Sequence, residues 1–281
     1  MKRTMILFVT CFLAACGSKP LKPPYPSYIA VDELPDAFVA GLPGIRAKQL
    51  SVDPRTQRAS YRISVPPDWT FTTGASPAHS VEIYVLAGEI RIGEFPLAAG
   101  GYAYLPPGGR GTQIDSDSGA VMLYFLDEAA SDAVIQTPLI SSSELIDWKA
   151  EDVGVYVKEL RKDPGSGART WLMRVDPDAI IPLQKSSRNV EGYLVSGTIF
   201  YSECSGGMSG TDQYLPGGYF HRPPGAVHGG PESTTASGAV WSLRVLGGES
   251  VEYVVACPVA TAAPYRPAVS VFGTACVLRL P

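Results

Sequence analysis

The chain has 281 residues, 45% of them hydrophobic and 18% charged, with 23 Lys and Arg against 27 Asp and Glu. A formal charge of −4 argues against a nucleic-acid partner, which would call for a basic face to neutralise phosphates. With 29 Gly, 25 Pro and no long helical periodicity, many short strands punctuated by turns are expected, in one large β domain or two small ones.

In chain order, Lys2 and Arg3 precede an apolar run over residues 5–13, which is too short to span a bilayer; spanning takes ~20 apolar residues. Small residues follow, in Leu13-Ala14-Ala15-Cys16, as a signal peptidase requires before its cut. The segment resembles a bacterial lipobox, which implies a signal peptide over residues 1–15 and lipidation of Cys16. Several acyl chains on one Cys anchor durably where a single chain does not. Gly17 rather than Asp at the next position implies the periplasmic face of the outer membrane. Four prolines (Pro20, Pro23, Pro24, Pro26) then make residues 16–44 read as an extended tether. Loss of Lys2 and Arg3 on cleavage leaves 21 basic against 27 acidic residues, a balance of −6.

Export places Cys204, Cys257 and Cys276 in an oxidising compartment, where Cys257 and Cys276 are close enough in sequence to pair, leaving Cys204 odd. No C-x-x-C occurs, so neither a cysteine metal site nor a redox dithiol is supported.

Beyond the tether the chain contains itself twice. Asp53-Pro54 and Asp163-Pro164 open equivalent stretches, and Glu82…Gly88 returns as Glu191…Gly197. Gly100-Gly101-Tyr102 with Pro106-Pro107-Gly108 returns as Gly217-Gly218-Tyr219 with Pro223-Pro224-Gly225, and Ser118-Gly119-Ala120-Val121 as Ser237-Gly238-Ala239-Val240. Four anchors in one order, at offsets drifting from 109 to 119, indicate an internal duplication. The expected units are residues 45–140 and 141–248, with 249–281 as an unduplicated β extension.

Each copy reads as antiparallel β. Residues 61–65 and 171–175 are strand-like runs after Asp-Pro turns, and residues 82–92 alternate through a Gly as a strand pair does. Gly-Gly-Tyr-x-x-x-Pro-Pro-Gly reads as turn, strand and stop, because Pro cannot donate to a ladder. Residues 121–126 and 240–246 close each unit, residues 202–212 form a long Gly/Ser loop in the second copy only, and residues 141–152 are expected to hold one short Ser-capped helix. In the extension, strands are expected over residues 251–255, 269–271 and 276–280.

The form Glu-x-Tyr-Val-Leu-x-Gly, followed by Gly-x5-Pro-x-Gly-x-x-His, resembles the cupin superfamily. The resemblance spans about residues 45–250 and implies an all-β protein of two tandem double-sheet jelly rolls, similar to two-cupin proteins grouped with the sensory domain of ChrR-type anti-sigma factors (the DUF4437 / ChrR-type cupin-like group). Metal-binding cupins take His-x-His and Glu from one motif and His from the next, a set suited to Fe, Mn, Ni or Zn. Only His79, His221 and His228 are present. In the second copy Glu191 matches the carboxylate and His228 the last imidazole, while the His-x-His places fall among Gln184, Lys185, Ser186 and Ser187. The Glu191-to-Gly197 spacing is one residue shorter than in the common pattern. In the first copy Glu82 remains, Gly111 replaces the histidine, and His79 is out of register with it.

The ligand set of both motifs is therefore incomplete, which leans the reading away from catalysis; at most one divalent metal, on Glu191 and His228, is open. The pocket residues implied are Glu191, His228, Gln184 and Tyr193. Three functions follow: a lipid-anchored bicupin binding a small polar ligand in the second barrel; a metal-dependent dioxygenase or isomerase using Glu191 and His228; or a structural lipoprotein docking through residues 249–281. A homodimer through edge strands is compatible with each.

Overall fold

The computed structural model describes residues 27–39, 41–73, 78–108, 111–205 and 207–258. The signal segment, Cys16 and Cys276 lie outside these, as do the strands expected at 269–271 and 276–280. No helix among the described residues is long and apolar enough to cross a membrane.

The two copies build sheets of one strand order. In the first half the order is Leu139–Ser142, Gly101–Leu105, His79–Ile92, Ala120–Glu128, Arg58–Val65, Arg46–Asp53 and Asp36–Ala37. In the second it is Ile29–Ala30, Gly218–Arg222, Val190–Gly197, Ala239–Val245, Arg169–Val175, Val155–Lys162 and Lys149–Asp152. Every neighbouring pair is antiparallel, so one face of each strand can be buried by simple alternation. The opposing sheet of the first barrel uses Trp69–Thr72, Gln113–Ser116, Phe95–Ala98 and the far end of His79–Ile92. That of the second runs Met208–Tyr214, Ile199–Ser205, Val227–His228, Gln184–Ser186 and Val251–Tyr253. These are two double-sheet jelly rolls in tandem.

The repeated anchors meet in space. Gly88 and Gly197 adopt φ of 74° and 78°, a left-handed conformation that favours glycine. A Cβ on either would come within 2.2 Å or 2.1 Å of the carbonyl oxygen of Gly119 or Gly238. The Gly of one motif thus packs on the Ser-Gly-Ala-Val of the next in both halves, beside a matching register shift.

The end strands exchange partners. Ile29–Ala30 completes the second half's sheet against Gly218 and Tyr219, and Leu139–Ser142 completes the first half's against Gly101–Leu105. The tether reading of residues 16–44 therefore stops short: once the prolines end at Pro26, Ile29, Val31 and Leu34 bury themselves in the body of the protein. Each barrel has its own apolar core. A third cluster, with Leu50, Tyr84 and Leu123 from one half and Leu160, Leu172 and Tyr219 from the other, binds the halves together.

Three expected elements differ. Residues 82–92 belong to one 14-residue strand, His79–Ile92, bent at Gly88 rather than turned back. Residues 202–212 are a hairpin, Ile199–Ser205 with Met208–Tyr214, because buried Tyr201 and Tyr214 hold both arms to the core. Residues 141–152 hold only a 3-10 turn, Ser143–Leu145, between two strands; the Ser142 hydroxyl accepts from the Glu144 N–H as a cap, but the following residues pair as sheet.

The disulfide also differs. Cys257 bonds to Cys204, not to Cys276. Residues 251–253 pair with Gln184–Ser186 and so bring Cys257 back to the end of the Ile199–Ser205 strand.

Candidate functional site

The strand Val190–Gly197 sends alternate side chains to two different buried environments. Val190 and Leu194 enter the core of the second barrel, while Tyr193 joins the cluster between the halves. Glu191 lies on Tyr193's side, accepting from Ser60 Oγ at 2.6 Å and from Tyr219 Oη at 3.0 Å. Glu82 repeats this from the first copy: its carboxylate accepts from Tyr102 Oη and from Thr170 Oγ1. Each motif carboxylate is thus held by a tyrosine of its own half and a hydroxyl of the other.

Arginines complete this layer. Arg161 Nη1 is 3.4 Å and Arg244 Nη2 3.7 Å from Glu82 Oε2, and Arg244 also pairs with Asp127. Burial pushes the Glu191 carboxyl up, but Arg244, His221 and the hydroxyl donors outweigh it and hold it below the usual range. Asp127 goes the other way, raised by burial with the two glutamates adding to it. His221, 1% exposed, has its pKa lowered by burial, against the opposing pull of Glu191.

The second barrel itself encloses a cavity of about 160 Å³. His228 and Gln184, Cα partners across two strands, both line it. His228 Nδ1 lies 3.0 Å from the Ala226 carbonyl oxygen, so this nitrogen donates and Nε2 keeps its lone pair. Burial, and then the Arg222 charge, lower the His228 pKa to about 3, so the ring is neutral under ordinary conditions. Its ring stacks at 6.0 Å on Tyr201.

Arg222 lies 3% exposed in the cavity wall, its Nε donating to Glu203 at 2.6 Å and its guanidinium 3.5 Å over the Phe220 ring. Its Nη2 is buried with no hydrogen-bond partner, and so is Nε1 of Trp241, another lining residue. Across the mouth runs Val251–Tyr253, held to Gln184–Ser186 by pairing, by Lys185–Glu252 at 2.9 Å, and beyond them by Cys204–Cys257.

Of the four pocket residues expected from sequence, the structure therefore brings together Gln184 and His228, and places Glu191 and Tyr193 outside the cavity, between the halves. The reason is the short Glu-to-Gly spacing. In an alternating strand one residue exchanges the faces, so the inward position falls at Val190 rather than Glu191. In the first barrel Glu82 likewise faces outward, and His79 Nε2 meets the Thr56 carbonyl at 3.1 Å.

A divalent metal does not fit this residue set. His228 is the only imidazole lining the cavity, His221 lies with Glu191 in the other layer, and the neighbouring Arg222 repels a cation. Among the described residues no group of three His, Cys, Asp or Glu could hold one. Tight binding needs several convergent ligands.

Sequence reasoning missed Arg222, Trp241, Tyr201 and Glu203. The signal was in the repeat: Arg222 stands at the position of Leu105, at the offset of 117 shared by the Gly-Gly-Tyr motif.

No family profile matches the chain, and no curated protein matches it. Solved structures do. A candidate dioxygenase of Nostoc punctiforme superposes with a TM-score of 0.63 at 20% identity, covering 88% of this chain and 86% of that one. The protein YlbA of E. coli gives 0.64 at 14% identity over 81% and 94%. A mutant of the Bacillus subtilis oxalate decarboxylase OxdC gives 0.60 at 12% over 84% and 81%. At such identities the likeness is one of fold: these neighbours are cupin-fold proteins, and this chain has the double cupin jelly roll.

Proposed function

We propose that this protein is a non-enzymatic bicupin that binds a small polar ligand in its second barrel, presented from the periplasmic face of the outer membrane by a lipid on Cys16. The observation that carries the reading is the 160 Å³ cavity, which keeps buried polar atoms of Arg222 and Trp241 without partners. Buried donors are normally satisfied, and each one left unmet costs about 1–3 kcal/mol. A site that retains two such donors and a neutral imidazole around a hollow lined by aromatic and aliphatic side chains is built for an occupant. Catalysis of the kind named for the neighbouring dioxygenase and decarboxylase finds less support, because the carboxylate and imidazole that the motif suggests stand in different layers.

The binding reading is tested by a ligand-observed NMR screen of polar fragments against the full chain and against Gln184→Trp, which plugs the mouth. Hits that disappear in the variant are expected; no hits, or hits indifferent to the plug, overturn it. Elemental analysis of chain purified without chelator should find well under one metal per protein. Near-stoichiometric metal that His228→Ala removes would restore the enzyme reading. For the anchor, Cys16→Ser should release the protein from the membrane fraction.

A further inference from the structure

We infer that the second barrel selects an uncharged ligand presenting a carbonyl-type oxygen beside an N–H or O–H, a primary amide being the simplest such group, and discriminates against the matching carboxylate. The inference rests on the ligand-binding reading and specifies its chemistry.

Three atoms define the recognition. Arg222 Nη2 and Trp241 Nε1 are donors, buried and without partners, on residues that line the cavity. Each calls for an acceptor, and a carbonyl-type oxygen supplies one. The third is His228 Nε2. With Nδ1 committed to the Ala226 carbonyl, Nε2 can only accept, so a ligand that meets it must bring a donor as well as an acceptor. A carboxylate has no donor to offer.

Charge balance points the same way. Arg222 is already neutralised by Glu203, at 2.6 Å with both side chains 3% exposed. A ligand anion would therefore add an uncompensated buried charge, whose desolvation costs several kcal/mol. The mouth gives no relief. Its cations are taken, Arg169 by Glu159 at 3.0 Å and Lys185 by Glu252 at 2.9 Å, while Glu151, Asp152 and Glu249 also line it. A cationic group gains nothing at the floor either, because the unmet groups there, Arg222 Nη2 and Trp241 Nε1, are donors. The rings of Tyr201 and Phe220 in the wall suit a flat or apolar body behind the polar end.

Benzamide and benzoate, alike in shape, separate the cases. In calorimetric titration of the full chain at pH 7, benzamide should bind at least about tenfold more tightly than benzoate. Trp241→Phe, which keeps an aromatic ring but removes the N–H, should weaken benzamide about three- to tenfold, the worth of one hydrogen bond, with a retained cooperative unfolding transition showing that the fold is intact. Equal or tighter binding of benzoate overturns the assignment, as does a Trp241→Phe variant that binds benzamide as the wild type does. Binding of neither probe, while fragments still give hits that the Gln184→Trp plug removes, overturns this chemistry alone. Absence of any such hit removes the ligand-binding reading with it.

Discussion

At three equivalent interior positions the first barrel holds Ile92, Leu105 and Met122 where the second holds Tyr201, Arg222 and Trp241. Strand pairing fixes the equivalence: Val81 faces Leu105 as Val190 faces Arg222, and Val85 faces Met122 as Leu194 faces Trp241. At these positions the first barrel is filled by apolar side chains that ask for no hydrogen bond. The second spends its interior on an ion pair and aromatic rings and keeps a hollow. On the binding reading proposed above, one fold serves as scaffold in one copy and as receptor in the other, and the difference lies in a handful of interior side chains together with the added strand Val251–Tyr253.

The largest effect should come from making the second barrel resemble the first. Arg222→Leu copies Leu105 but takes away the buried ion pair with Glu203, and breaking a buried pair costs about 3–5 kcal/mol. Adding Glu203→Leu removes the buried carboxylate as well and should recover part of that loss, while abolishing ligand binding. Urea denaturation of the two variants measures both. A single variant as stable as wild type would mean that the pair is not buried as described.

A smaller effect should follow from the staple that only the second barrel has. Opening Cys204–Cys257, a loop of 53 residues, with a reductant or as Cys204→Ala/Cys257→Ala should cost about 2–4 kcal/mol. Because the bond anchors Val251–Tyr253 at the cavity mouth, ligand exchange should also quicken, which NMR line shapes would register. The first barrel's core offers an internal control: amide exchange at Ile83 and Val85 should be unaltered.

The most gradual effect is on pH dependence. In the folded chain His221 and His228 are held below the ordinary imidazole value, His228 at about 3, whereas unfolded they protonate near 6.5. Between those limits the unfolded state binds more protons. Their stabilisation is thus complete above pH 6.5 and is lost as pH falls, by about 1.4 kcal/mol per pH unit for His228 down to its folded value, with His221 adding in the same direction. Urea midpoints from pH 7.5 to 4.5 should trace this slope, and His228→Gln should remove one imidazole's share. A flat profile would place these rings in water.

How much of this was legible in the sequence depends on whether the deciding fact was local. The duplication, the bend glycines and the strand order follow from repeated motifs whose constraints act over a few residues, as at Gly88 and Gly197. The alternation that puts Glu191 on the face opposite Val190 and Leu194 is local too. What no single copy could reveal is that this opposite face is buried by the other copy, so that Ser60 and Thr170 wait there for the carboxylates. Arg222 was legible only by setting one copy against the other. Cys204–Cys257 was not, because sequence separation says little about where a chain returns after pairing with Gln184–Ser186.

The exchanged end strands bear on ancestry and assembly. An arm that finishes the neighbouring copy's sheet, Ile29–Ala30 on one side and Leu139–Ser142 on the other, is how two separate single-barrel chains would clasp each other in a swapped homodimer. Joining two such chains end to end turns the clasp into an internal one and fixes their ratio at one to one. Once joined, the halves would no longer have to be identical to find each other, which would leave one free to change its interior while the other held it in place.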